Sequence, residues 1–327
     1  MNITEKENIR CFYAHKTPDH FPDLSKGLYT HHPILGFAER PILDGTTDWF
    51  GVQYSYDELI GTYSVPRAPY VLTDITKWRE QVKIPDVEHM DWEKAARLDF
   101  ISDEIRENML VSILIQCGIY ERYHSLMGME EAMIALLDEP EDAKDLIDAI
   151  GDYKYKLIEK VIMYYKPDII RQHDDYGTQQ AMQMQPDLWR RLIKPHTKRI
   201  VELCHSKGVF YEQHSCGIIE PIIEDFVEIG VDSWQGMHIN NVPELRKHTG
   251  NRLNYHMSLN IPDYQVADAA GWLTEAQLRE DVRNTLLSCA GNGCYFTVPA
   301  SVIGNVNWWG TSVINEEIDN FRREYRY

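Results

Sequence analysis

The sequence predicts an α/β barrel, and three observations carry that expectation. From Val111 onward, short apolar runs rich in β-branched residues alternate with amphipathic helical patterns, and repeated strand-helix units of this kind imply parallel strands. The 327 residues contain no low-complexity tract, repeat or Gly/Ser linker, and barrels of this length occur as single domains. An apolar content of 43% with eight tryptophans is ample for the core.

The first 105 residues break the pattern. Pro18, Pro22, Pro33, Pro41, Pro66, Pro69 and Pro85 interrupt them, and Trp49, Phe50, Tyr54, Tyr56 and Tyr63 fall between the breaks. We expect an irregular N-terminal extension over one end of the barrel, with 106–327 forming the main strand-helix units. Trp49 and Phe50 would wall a pocket for a flat substrate, or equally pack one barrel end. From 111, VSILIQCG reads as a buried strand, followed by helical patterns over 129–137 and 146–162. The β-branched Ile169 and Ile170 open the next strand. A helix is expected over 186–205, with Gly208 as its stop and a strand opening at Val209. Helices follow over 218–229, 242–248 and 274–289, separated by the strands VDSW and RLNYHMSL. The strand CYFTVP and an amphipathic segment over 314–321 end the chain.

Charge narrows the partners. Lys and Arg number 33 against 51 Asp and Glu, a net charge of -18 that repels nucleic acid and anionic membrane surfaces. The opening MNITEKENIR lacks an apolar signal region, and no apolar run is long enough for a membrane span, so a cytoplasmic protein is expected. Six scattered cysteines without paired spacing fit reduced thiols.

The stretch 168–216 concentrates the chemistry. Its first strand leads into His173, Asp174, Asp175, Tyr176 and Gly177, placing carboxylates and a phenol where a buried strand ends. On its second strand, alternation puts Glu212, His214 and Cys216 on one face. Ligands at the carboxyl ends of neighbouring barrel strands converge on one mouth, and imidazole with thiolate suits zinc. A core histidine beside a small buried cysteine would give the same spacing. For Asp174 and Asp175 three roles stay open: orienting a metal-bound imidazole, handling a proton, or capping the next helix.

Several segments have a familiar wording. HDDYGTQ (173–179), P-D-L-W-x-x-x-I-K-P-H (186–196), HSCG (214–217), EDFVEIGVD (224–232) and WQG (234–236) resemble the uroporphyrinogen decarboxylase superfamily. So do TDWFGV (47–52), LTDITKW (72–78), IPD (84–86) and LMGMEEA (126–132), so the resemblance spans nearly the whole chain. Within the superfamily it is nearest the corrinoid-dependent methyltransferase branch. That branch includes methylcobamide:coenzyme M methyltransferases and the methyltransferases of bacterial O-demethylase systems.

The resemblance implies a TIM (β/α)8 barrel and a zinc-dependent methyltransferase. It would move a methyl group from a small methylated substrate, a methoxylated aromatic foremost, to a cobalt(I) corrinoid carried by a partner protein. Asp174, Asp175 and Tyr176 are then the catalytic candidates, and Trp49, Phe50, Trp234 and Gln235 the substrate-binding ones. His214 and Cys216 would be metal ligands. The third ligand of the coenzyme M enzymes is a cysteine whose place Ser301 takes here, and Cys294 stands at the amino end of its strand, away from the mouth. His256 is therefore the expected replacement, ahead of His238, Glu212 or Asp175. Three alternatives remain: methylation of a thiol of the coenzyme M type, uroporphyrinogen decarboxylation, and a metal-free, non-enzymatic barrel. The second lacks the arginine-rich N-terminal motif of the decarboxylases: the corresponding region offers Arg10 and Arg40 with no such motif.

Overall fold

The computed structural model describes residues 3–37, 39–41, 46–57, 62–290, 294–297 and 308–326. Its centre is a parallel sheet. Strand β1 (Leu28–His31) is followed by the separate antiparallel hairpin β2 (Gln53–Asp57) and β3 (Thr62–Arg67). Then come β4 (Leu110–Ile115), β5 (Ile169–His173), β6 (Phe210–His214), β7 (Ser233–Gly236), β8 (Asn254–Ser258) and β9 (Cys294–Thr297). Strands pair in the order β1-β4-β5-β6-β7-β8-β9, each pair parallel, with helices in the connections. This is the curled sheet of a TIM-like barrel, as expected.

The sequence explains most of these elements. All six residues of β4, LVSILI, are buried, as a strand covered on both faces requires. The helix Pro140–Tyr165 starts with proline at its first position, carries Glu141 and Asp142 in its first turn and buries an apolar stripe from Ala143 to Tyr165. The helix expected over 186–205 is two helices, Pro186–Leu192 and Lys194–Ser206. Pro195 has no N–H to give and crowds the preceding turn, so the first helix ends before it.

Among the elements that escaped the pattern, three are instructive. Strand β1 lies in the segment expected as a cover, yet pairs with β4 and supplies one edge of the described sheet, so residue 105 does not divide cover from barrel. Four residues, LYTH, are too few for alternation to show. The helix Ile119–Met127 buries Glu121 and Arg122, whose charges disguise its inward face. The helix Ile261–Ala269 has one fully buried residue, Ile261, and so almost no apolar stripe to recognise.

Register sets the site. Across β5 to β8, His173 pairs with His214, His214 with Gln235, and Gln235 with His256. One row of side chains thus faces the barrel interior at the carboxyl ends of four neighbouring strands. Beneath it, Arg171, Glu212 and Ser233 form a second row, in which the fully buried Glu212 accepts hydrogen bonds from Ser233 (2.9 Å), Tyr13 of the helix Glu5–Tyr13 (2.9 Å) and Arg171.

Candidate active site

Two imidazoles stand at its centre. Because His173 and His214 are register partners on adjacent parallel strands, their rings stack with centroids 4.3 Å apart and planes 19° from parallel. The loop after β5 brings Asp175 to 3.5 Å from His214 Nε2, and the loop after β6 brings the Cys216 sulfur to 3.4 Å from the same nitrogen. These loops touch backbone to backbone at Gly177 and Gly217. A Cβ on Gly217, whose φ is +78°, would lie 2.1 Å from the Gly177 carbonyl carbon, so only glycine permits the crossing.

Both imidazoles are held by outer partners. His173 Nδ1 lies 2.9 Å from Glu121 Oε2, and Arg40 donates to the other Glu121 oxygen at 3.0 Å. His214 Nδ1 lies 2.9 Å from Gln235 Oε1. Asp175 Oδ1 accepts the Cys216 N–H at 2.6 Å. His173, Asp175 and His214 can each present one ligand atom with all three atoms within 4.8 Å of one another.

Charges in this cluster are strongly shifted. Burial, followed by the neighbouring His173, pushes His214 down to about 4, so at neutral pH it is an uncharged imidazole. Burial also disfavours a charge on His173, but Glu121 and then Asp175 outweigh it and the net direction is upward. Glu121 is held well below the usual carboxylate range, its burial overcome by His173 and Arg40. The Cys216 thiol is pushed up by burial and by the Asp175 carboxylate. A cation in this position would reverse that last effect, because a coordinating thiol loses its proton.

The remaining sequence candidates have varied positions. Asp174 faces away from the imidazoles: its carboxylate accepts the N–H groups of Ile119, Tyr120 and Glu121 and the Tyr176 hydroxyl. It does cap a helix, but the one following β4 and not the next in the chain. Burial and the nearby Glu121 push it up to about 7. Tyr176 is fully buried, edge-on to Trp189 at 5.7 Å. Trp234 lies between the inward Ser233 and Gln235, so it points to the helix layer, where it packs on Tyr255 at 6.0 Å. Phe50, 4% exposed, packs edge-on against Tyr153 with the Arg122 guanidinium over its ring, and the half-buried Trp49 packs on Phe37. These four aromatics are thus packed against other rings.

Gln235 lies in the site, but on His214. His256 is in the same row, one strand further on, with Nδ1 3.3 Å from Glu212 and Nε2 3.4 Å from the Gln235 amide nitrogen. His238 stands in the loop beyond β7, Cys294 opens β9 at its amino end, and Ser301 lies outside the described residues. Sequence reasoning gave no site role to His173, Glu121 or Arg40. For His173 a signal was there: Arg171 and His173 alternate on β5 as Glu212 and His214 do on β6.

Two imidazoles at the carboxyl ends of neighbouring strands, with Asp175 from the loop after β5, make a group that could hold a metal ion at the mouth of an α/β barrel. Residues 117–254 match the model of the uroporphyrinogen decarboxylase (URO-D) family, which bears out the resemblance of the motifs within that span, LMGMEEA and those from HDDYGTQ to WQG, and takes in the whole cluster from Glu121 to Gln235. Among solved structures the chain is similar to a methyltransferase from Methanosarcina mazei. The two share 13% identity and a TM-score of 0.62 over 98% of this chain and 99% of the other, a likeness of fold. No curated protein matches the sequence. None of the described helices is long and apolar enough to cross a membrane.

Proposed function

We propose that this chain is a metal-dependent methyltransferase that moves a methyl group from a small methylated substrate, of the methoxylated aromatic class, to the cobalt(I) corrinoid of a partner protein. One observation carries the reading: the in-register His173 and His214, with Asp175 and Cys216 beside them, on the strand ends where barrel ligands converge. Imidazole nitrogen, carboxylate oxygen and thiolate sulfur together suit zinc better than magnesium or calcium, which prefer oxygen alone. Zinc bound there supplies Lewis acidity, stabilising the negative charge that develops on an oxygen as its methyl group departs.

The protein's own residues prepare that chemistry. His214 is uncharged and ready to coordinate, while Glu121 and Gln235 hold the two rings in place. The net charge of -18 favours a basic docking face on the partner that carries the corrinoid. The decarboxylase alternative is disfavoured by the two N-terminal arginines: Arg10 pairs with Asp168 at 2.6 Å, just before β5, and Arg40 is committed to Glu121 and Cys117. Neither is left for a substrate with many carboxylates.

The test mixes the protein, a panel of methoxyarenes and a reduced corrinoid protein, and follows the loss of cobalt(I) absorbance. We expect methyl transfer by the wild type and a drop of at least about 100-fold in His214→Ala, the scale of losing a principal electrostatic group. Equal rates with and without His214 would overturn the proposal.

A further inference from the structure

Metal-ligating imidazoles carry a recognisable signature: the nitrogen facing away from the metal is held by a carboxylate, carbonyl or other acceptor, which fixes the tautomer and aims the ring. Two imidazoles here show such an arrangement. His173 has Nδ1 on Glu121, leaving Nε2 as its ligand atom, and His214 has Nδ1 on Gln235, leaving Nε2. Asp175 has Oδ1 on the Cys216 N–H, and the same oxygen lies 3.5 Å from His214 Nε2. The three donors are already gathered within 4.8 Å, although each belongs to a different local geometry.

His256 differs. Its Nδ1 also meets a carboxylate, Glu212, but its Nε2 meets the Gln235 side-chain amide, and Gln235 stands between it and His214 in the row. With adjacent strands about 4.8 Å apart, His256 starts two strand spacings, roughly 10 Å, from His214. Zinc-to-nitrogen bonds are only about 2.0–2.1 Å long.

We propose that β5 completes the metal site: His173 and Asp175 join His214, beside Cys216, as zinc ligands, with Glu121 and Gln235 as the positioning residues that aim the two imidazoles, and His256 outside the ligand set. Arg40 belongs to the same arrangement. By holding the second oxygen of Glu121 it keeps that carboxylate facing His173. This inference rests on the metal-dependent reading above and deepens it by separating the residues that bind the metal from those that aim them and from His256.

Metal binding, measured without turnover, tests it. The metal-free protein is titrated with zinc against a competing chelator, and cobalt(II) is used as a spectroscopic stand-in. We expect His173→Ala and Asp175→Ala each to weaken zinc binding by more than about 100-fold, beyond the 10–100-fold usual for losing an outer partner, while His256→Ala stays within about threefold. Glu121→Ala falls in that 10–100-fold range, whereas Glu121→Gln, which keeps an acceptor for Nδ1, stays near wild type. A gain of signal guards against misfolding: cobalt-loaded His173→Cys gains thiolate-to-cobalt absorption over the wild type, and His256→Cys does not. Retained binding in both His173→Ala and Asp175→Ala, with loss in His256→Ala or a new thiolate signal in His256→Cys, would overturn the assignment alone. Failure of the wild type to take up zinc would overturn the metal-dependent reading, and this assignment with it.

Discussion

Asp174, a carboxylate in a candidate active site, caps a helix. Gly118 precedes the helix Ile119–Met127 and has no side chain to cap it, so three N–H groups at the helix start turn to a residue 53 to 55 positions away. The fit is close: a Cβ on Gly118 would lie 2.2 Å from the Asp174 carboxyl carbon. Asp174→Ala leaves those buried donors without their acceptor, and one such orphaned group costs about 1–3 kcal/mol. We expect a loss of about 3 kcal/mol in urea unfolding, the donors sharing whatever water enters the gap. A change below about 0.5 kcal/mol would mean that other acceptors take over. The same helix presents Glu121 to His173, so one carboxylate outside the ligand cluster sets the position of another group inside it.

At the scale of elements, strand starts are clamped as firmly as strand ends are functional. Asp232, just before β7, accepts the N–H of Tyr211 in β6 at 2.7 Å and lies 2.9 Å from His205 Nε2 in the helix Lys194–Ser206. Burial works against the Asp232 charge, but hydrogen bonds from His15 and His205 prevail and its pKa is lowered. The bond to Asp232 raises that of His205. The raised His205 contributes stability that is complete below its unfolded pKa of about 6.5 and is lost as pH rises through the folded value. The lowered Asp232 contributes stability that is present above its unfolded pKa of about 3.9 and is lost as pH falls through the folded value. We therefore expect the melting temperature of the wild type, relative to Asp232→Asn, to fall as pH is raised from 6 to 9. Parallel curves for the two proteins would show that the pair adds nothing. His205 is partly exposed, so the effect should shrink in salt.

For the whole molecule, the question is what holds the N-terminal segment to the barrel. The described structure answers with buried ions. Glu39 bonds to Tyr153 and Lys154 of the helix Pro140–Tyr165, and its backbone carbonyl accepts from Arg122 at 2.8 Å. Arg122 also pairs with Asp48, and that carboxylate accepts the Phe50 and Val52 N–H groups at 2.9 and 3.0 Å. Breaking a buried pair from one side typically costs about 3–5 kcal/mol, because the abandoned charge stays buried. Glu39→Gln should lower unfolding stability by about that much, and Lys154→Met added to it should recover part of the loss. Independent, additive losses would show that the two groups do not act as a pair. This anchoring fixes the loop that carries Trp49 and Phe50, whose rings pack on Phe37 and Tyr153.

How much was legible in the sequence follows from the range of the forces involved. Local periodicity determined the α/β class, most strands and helices, and the barrel, because burial of an apolar face is written every second or every third to fourth residue. The alternation of Glu212 and His214 likewise pointed to one inward face, since a strand's face is a local property, while Cys216 lies in the loop beyond the strand. What only the tertiary structure decided was partnership between residues far apart in the chain. Pairing in register put His173 beside His214, a hydrogen bond across 52 residues joined Glu121 to His173, and Asp174 turned away to cap a helix that lies before it in sequence. The β1 strand joined the sheet despite a four-residue pattern too short to read. Long-range hydrogen bonds and ion pairs depend on distances that only the folded chain creates, so no window of sequence carries them.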